Sequence, residues 1–175
     1  MKSFFIPGNV PSSKNSRRIV TIKRKDGTKQ QLSIASDQTK RYQANVAYIF
    51  RAKKSLFRKT IAAIGPAPYY IGFFFIRKSK HRFDQINPAQ TVQDEMVDHE
   101  WIDDDDVTNF CPCPVFIENS FWKHHAKDPG VLIVVYETLE EMSKVYTPLE
   151  IFQSLVDKND INYYRNAFNA KRKAP

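Results

Sequence analysis

"YYIGFFFIRKSKHRFDQINPAQTVQDEMVDHEWIDDDDV", residues 69–107, runs from an apolar block through a basic turn and an amphipathic stretch to a row of carboxylates. The opening "YYIGFFFI" (69–76) is continuously apolar and bounded by turn residues, which predicts a central strand covered on both faces. After the basic "RKSKHR" (77–82), "PAQTVQDEMVDH" (88–99) predicts a helix with Pro88 in its first turn and Val92, Met96 and Val97 facing inward. Nine of the chain's nineteen acidic residues lie between Asp84 and Asp106, with no Lys or Arg among them, although the net charge is +8. Asp103 to Asp106 are consecutive. Neighbouring carboxylates repel one another, so the row needs solvent, basic partners or a metal ion.

Outward from this stretch the chain alternates strand and helix signals. "KSFFIPG" (2–8) predicts a short strand stopped by Pro7-Gly8, and "NVPSSKNSRR" (9–18) a polar loop. "RIVTIKRK" and "TKQQLSI" flank Asp26-Gly27, a pair suited to a tight hairpin turn. Both arms of that hairpin are basic, so it reads either as a ribbon reaching along a groove or as a solvated hairpin with protective charges. Ser36 caps a predicted helix running to about Arg58, with Tyr42, Val46, Ile49, Phe50 and Phe57 on its apolar side. "CPVFIEN" (113–119) and "GVLIVVYE" (130–137) predict two strands paired around the intervening loop. Thr147, Pro148 and Glu150 form a capping box before "LEIFQSLVDK", and "INYYRNAFNAKRK" predicts a last helix. The expected fold is α+β: a mixed β-sheet packed with two main helices over residues 1–137, followed by a helical C-terminal extension over 138–175.

Composition narrows the function. A chain of 175 residues that is 42% apolar can build a real core. No apolar run is long enough for a membrane span, and the N-terminus lacks the core of a signal peptide, so a cytoplasmic protein is expected. Cys111 and Cys113 sit too close together for an ordinary structural disulfide. Residues 1–60 carry fifteen Lys and Arg against two Asp. A basic body around a compact acidic spot suits nucleic acid, with cations on the backbone and carboxylates at the scissile phosphate. Cys111, Cys113, His124 and His125 match no common zinc spacing, and the adjacent histidines read better as DNA contacts or plain surface. No glycine-rich phosphate loop is present, which disfavours nucleotide hydrolysis.

A helix of about twelve residues spans roughly 18 Å, so Asp84 and Asp104 converge on one Mg²⁺ only if the chain doubles over. At these residues the sequence resembles the RusA family of Holliday-junction resolvases. That pattern has a Pro-Ser-Asn loop near the N-terminus, here Pro11 to Arg18, and Asp-x-Asp-Asn-x-x-Lys opening a helix after a strand. "DQIN" supplies Asp84 and Asn87, Asp94 is the aspartate within the helix, and "WIDDDDV" supplies Trp101, Asp104 and Val107. Two positions depart from it: Ile86 stands where the family has its second aspartate, and Gln90 where it has lysine.

The resemblance covers residues 1–137. It implies a metal-dependent endonuclease acting on branched DNA such as four-way junctions, in recombination or repair, in a bacterial cell or phage-infected host. The implied cofactor is Mg²⁺, with Mn²⁺ as substitute, and the implied assembly is a homodimer, because the substrate has near two-fold symmetry. Asp84 and Asp104 would hold metal, with Asp105 or Asp103 replacing the carboxylate missing at Ile86. Asn87 and Gln90 would position the site, while Lys80 or Arg82 replaces the missing cation. Lys14, Asn15, Arg17, Arg18, Lys78, Lys80 and Arg82 would contact DNA. The alternative reading, motivated by Ile86 and Gln90, is a junction-binding protein that no longer cuts.

Overall fold

A computed structural model of the chain describes residues 1–12 and 17–169. Lys14 and Asn15, expected to contact DNA, lie outside the described residues. The fold is α+β, built on a five-stranded mixed sheet. Strand β1 (Lys2–Pro7) pairs antiparallel with the strand Gly130–Val135, and that strand pairs antiparallel with Tyr69–Arg77.

In chain order, β1 is followed by the hairpin strands β2 (Arg17–Lys23) and β3 (Lys29–Ala35), then helix α1 (Asp37–Ile64) and strand β4 (Tyr69–Arg77). Helix α2 (Ile86–Asp98) leads to the short strands β5 (Phe110–Cys113), β6 (Phe116–Ile117) and β7 (Trp122–His124), and to β8 (Gly130–Val135). The chain ends with α3 (Leu139–Met142), β9 (Val145–Tyr146), α4 (Pro148–Ser154) and α5 (Asp160–Asn169).

Strand periodicity divides the sheet into two faces. Phe4, Ile6, Ile71, Phe73, Phe75, Val131, Ile133 and Val135 point to one core, shared with α1 and α2. Phe5, Phe74, Ile76, Leu132 and Val134 point to the other, shared with Tyr146, Ile151, Tyr164 and Phe168. The stretch after residue 137, expected as an extension, covers this second face of the sheet together with Cys113, Val115 and Ile117. Ser3 and Leu155 even form an isolated parallel bridge, and Val156 N donates to Ser3 O at 3.0 Å.

One expected pairing does not form. Gly130–Val135 does not pair with the 113–119 segment but inserts between β1 and β4. Every residue of β8 is buried, so both of its edges and both of its faces need cover, which only an interior position supplies. The 113–119 segment breaks into β5 and β6; β5 runs parallel to β4, and β6 joins β9 in a separate two-stranded sheet. Helix α1 also outruns its expected end at Arg58, because Ile61 continues the buried stripe until Gly65 caps the last turn. Ser36 and the Thr147–Glu150 box cap their helices as expected. Among the described residues no helix is long and apolar enough to cross a membrane.

A buried ion pair fixes the C-terminal layer. Lys53 of α1 pairs with Asp160 of α5 and lies 3.0 Å from Asp157, while the second Asp160 oxygen accepts the Phe5 backbone N–H at 2.8 Å. Removing one partner of such a pair leaves an uncompensated charge in the interior. Asp160→Ala is therefore expected to lower the urea-unfolding free energy by about 3 kcal/mol. The exposed Lys127→Ala should stay within about 0.5 kcal/mol of wild type.

Candidate nucleic-acid interface and acidic turn

The C-terminal end of β4 gathers three segments that are far apart in sequence. Arg77, the last residue of β4, donates from Nη1 to the Val10 carbonyl at 3.0 Å. Its guanidinium lies 4.5 Å over the Phe83 ring, and Phe83 in turn packs edge-on against Phe75 and Trp122. The next backbone N–H, of Lys78, is held by the Asn9 side chain at 3.1 Å. On the other side, Thr91 Oγ1 of α2 donates to the Pro11 carbonyl at 3.0 Å. The start of the N-terminal loop is thus stitched between the basic turn and the first turns of α2.

Asp84 stands exposed at the mouth of this junction. Its Oδ1 accepts the Ile86 backbone N–H at 3.2 Å, and its Oδ2 faces the Asn87 amide at 3.4 Å. Asn87 itself is buried, so the carboxylate is oriented by a fixed neighbour. Lys78, Lys80 and Arg82 are exposed and form no ion pair among the described residues, leaving their charge to face solvent. Arg17 and Arg18 open β2. β7 pairs with this end of β4, placing His124 opposite Arg77, while His125 Nδ1 accepts the Asp128 N–H at 2.9 Å. Gln90 is exposed on α2 one turn beyond Ile86, whose side chain is 65% exposed.

Arg77 was not among the residues singled out from sequence. It closes an apolar strand buried on both faces, where alternation gives no clue to which end residue turns outward. Burial pulls its guanidinium below the ordinary arginine range, and its Nε has no hydrogen-bond partner. Its position between Val10 and Phe83 makes it the most constrained cation of this end.

The acidic row lies elsewhere. β4 and β5 are parallel, with Tyr69 opposite Phe110, so α2 must run back along the sheet between them. Its thirteen residues span about 20 Å. Asp84 precedes the helix and Asp103 to Asp106 follow it, so one chain carries them at opposite ends. Among the described residues no group of three or more His, Cys, Asp or Glu side chains comes together to hold a metal ion. Between Asp84 and Asp104 the chain does not double over.

What relieves the row is mostly protein. Trp101, fully buried, donates from its indole to the Phe50 carbonyl at 2.7 Å and stacks on Phe57, clamping the turn onto α1. This sets Glu100 against Lys54 and Asp103 against Arg58, the latter at 2.8 Å. The Lys54 ammonium holds the Glu100 carboxyl below its usual range. Asp106 Oδ1 accepts from the Thr108 hydroxyl and backbone N–H and from the Asn109 backbone and side-chain amides. These bonds, the Thr108 hydroxyl first, hold its carboxyl below the ordinary aspartate value. Asp104 only caps the Asp105 N–H, at 2.8 Å, and both side chains face solvent. Asp103, considered above as a substitute ligand, is engaged by Arg58. Asp94 lies exposed on α2 beside Glu95, which is buried against His99 and whose carboxyl burial pushes up. Cys111 and Cys113 are free thiols, and burial pushes Cys113 up to about 12.

Compared with known protein families and with curated proteins, the chain matches no family model and no curated protein.

The division of labour within the row has a pH signature. Asp106 has a depressed folded-state value, so its contribution to stability is present above the ordinary value of 3.8 and is lost as pH falls through the folded value. Asp106→Ala should melt at a lower temperature than wild type at pH 7, with the two curves converging once the pH falls below the folded value. Asp105→Ala should melt with wild type at both. Thermal unfolding followed by circular dichroism across pH checks this.

Proposed function

We propose that the protein is a metal-dependent endonuclease for branched DNA, resembling the RusA resolvases, and that it acts as a homodimer. The observation that carries this reading is the convergence at the end of β4. The N-terminal loop, the "RKSKHR" turn and the Asp84–Asn87 helix start, separate in sequence, meet there and combine unpaired cations with an oriented carboxylate. Exposed Lys78, Lys80 and Arg82 would take the phosphate backbone through counterion release. Asp84 would face the scissile phosphate, with Asn87 fixing its direction and Gln90 within reach of the same strand.

The separation of Asp84 from Asp104 and Asp105 assigns the second chain a role. Ile86, Gln90 and Asp94 form an exposed stripe of α2 at helical spacing, with half-buried Gln93 beside it. Two such helices packed antiparallel about a two-fold axis would bring Asp84 of one chain beside Asp104 and Asp105 of the other. Each dimer would then hold two centres about 20 Å apart, one for each of two symmetric cuts. A divalent cation, Mg²⁺ or Mn²⁺, held between those carboxylates would supply phosphate polarisation and an activated water.

A second reading rests on Ile86. An exposed isoleucine where the resemblance places a carboxylate, and an uncharged Gln90 where it places lysine, fit a protein that binds junctions without cutting them. The two readings separate on a synthetic four-way junction. Metal-dependent nicks support the first; retention in a gel without nicks in Mg²⁺ or Mn²⁺ supports the second; no retention sinks both.

Under the first reading, Asp84→Asn and Asp104→Asn each abolish cleavage while junction affinity is kept or rises, since one repulsive charge near the phosphate is gone. Mixing the two variants is the sharper experiment. If each centre spans the dimer, a mixed dimer regains one intact centre and nicks one strand. Continued inactivity of exchanged mixtures, with the dimer verified by sedimentation, would remove the shared-site arrangement.

A further inference from the structure

Beyond Arg17 and Arg18 at its start, the β2–β3 hairpin takes no part in the site described above, yet from Arg17 to Ala35 it carries six Lys and Arg against one Asp. Among the described residues its strands pair only with one another, from Arg17 opposite Ala35 to Lys23 opposite Lys29, and none of those residues belongs to either core. An isolated two-stranded hairpin is marginal in water. Two features make this one more so. Lys23 and Lys29 are directly opposite, a like-charge pair that disfavours the ladder. Ile19 and Ile22 are 72% and 41% exposed.

The tip concentrates the charge further. Between those lysines lie Arg24 and Lys25, and the single acid, Asp26, is consumed within the turn. Its Oδ1 accepts the Thr28 backbone N–H at 2.9 Å and the Thr28 hydroxyl at 2.6 Å, while Gly27 supplies the positive φ of 86°. Arg24 Nε donates to Gln30 Oε1 at 2.9 Å, which stiffens the arm without neutralising it. Lys23, Arg24, Lys25 and Lys29 form no ion pair among the described residues. Four cations are thus displayed on a pre-formed ribbon with no counter-charge of its own.

We infer that this hairpin is an arm that grips the phosphate backbone of double-stranded DNA. The inference deepens the proposed function, on which it rests, by naming the part of the substrate that the arm holds: a duplex segment beside the branch. The absence of any aromatic residue from Arg17 to Ser36 decides between duplex and single strand. Single-strand binders stack bases on aromatic rings, whereas a ribbon of lysine and arginine meets backbone, and a two-stranded ribbon is of a size to enter the major groove. Seven residues per strand give a reach of about 23 Å, roughly two-thirds of a duplex turn. The arm begins six residues after Pro11, which Thr91 ties to the Asp84 end. Phosphates along that reach would relieve the Lys23–Lys29 repulsion, so binding and hairpin stability support each other.

The test uses the full chain, a four-way junction and a plain duplex of the same length. The quadruple variant Lys23→Gln, Arg24→Gln, Lys25→Gln, Lys29→Gln alters only exposed side chains and should melt with wild type. On plain duplex it is expected to lose tenfold or more in affinity and to flatten the log–log salt dependence by about 3. The single reversal Lys25→Glu should move affinity in the same direction. Affinity for a single strand should change by a smaller factor than affinity for duplex. Unchanged duplex affinity and salt slope in the quadruple variant would overturn the inference, as would a loss confined to single strands. The plain duplex separates this outcome from the fate of the proposed function. A wild-type protein that binds duplex through the arm but neither prefers nor nicks junctions would sink the junction reading and leave the arm standing.

Discussion

The parallel pairing of β4 with β5 is the constraint from which the arrangement of the chemistry follows. Two adjacent parallel strands joined by one connection need that connection to return the full length of the first strand. Here the return is α2, and it fixes what lies at each of its ends. The end of β4 receives the basic turn, Arg77 and Asp84; the start of β5 receives the acidic row. No side-chain choice within one chain can bring those ends together while the crossover stands. Any centre that uses both must therefore recruit a second chain, and a two-fold partner is the economical source.

The acidic row shows how a locally unfavourable sequence is tolerated. Regular pairing would place like charges side by side, so the segment forms a turn and divides its charges. Trp101 anchors it through one indole hydrogen bond, a stack on Phe57, a tilted contact with Phe50 and an edge contact with Phe4. That anchor slides Glu100 and Asp103 against the basic side of α1. Exposed pairs such as Arg58–Asp103 are individually weak, on the order of 0–1 kcal/mol, so the buried tryptophan rather than the ion pairs sets the position. Asp106 is absorbed by turn amides. Two carboxylates, Asp104 and Asp105, remain without cationic partners among the described residues, and they are the ones with capacity for an external ligand.

Much of the fold was legible from local signals. The apolar block at Tyr69–Arg77, the caps at Ser36 and Thr147, and the Asp26-Gly27 turn each encode their element within a few residues. What was not legible depends on long-range competition for cover. β8 is apolar throughout, and nothing local says that it slots between β1 and β4 and not beside the segment before it. The helices after residue 137 carry ordinary amphipathic patterns, which cannot reveal that they cover the second face of the sheet. The site divides the same way. Asp84, Asn87 and the basic turn were readable because they are contiguous, and Pro11 joins them through a bond spanning eighty residues. Asp84 and Asp104 were expected to meet only if the chain doubled over, and they stand before and after α2, whose Val92 and Met96 are buried against the core.

Ile86 is where these lines meet. In the resembled pattern a carboxylate stands there, two residues from Asp84, and it would add negative charge to the helix start. An isoleucine removes that charge and leaves an apolar side chain 65% exposed on the outward stripe of α2. Alone in water this is a small cost; covered by a partner helix it contributes up to about 1.5–3 kcal/mol per chain. If two α2 helices pack antiparallel, each acidic turn approaches the other chain's helix start, and an aspartate at position 86 would repel it. The substitution thus weakens a metal site built within one chain while favouring one built between two. Under the dimeric reading the loss of a ligand and the separation of Asp84 from the acidic row would be two sides of one arrangement, in which the partner's Asp105 would take the place left by the missing carboxylate.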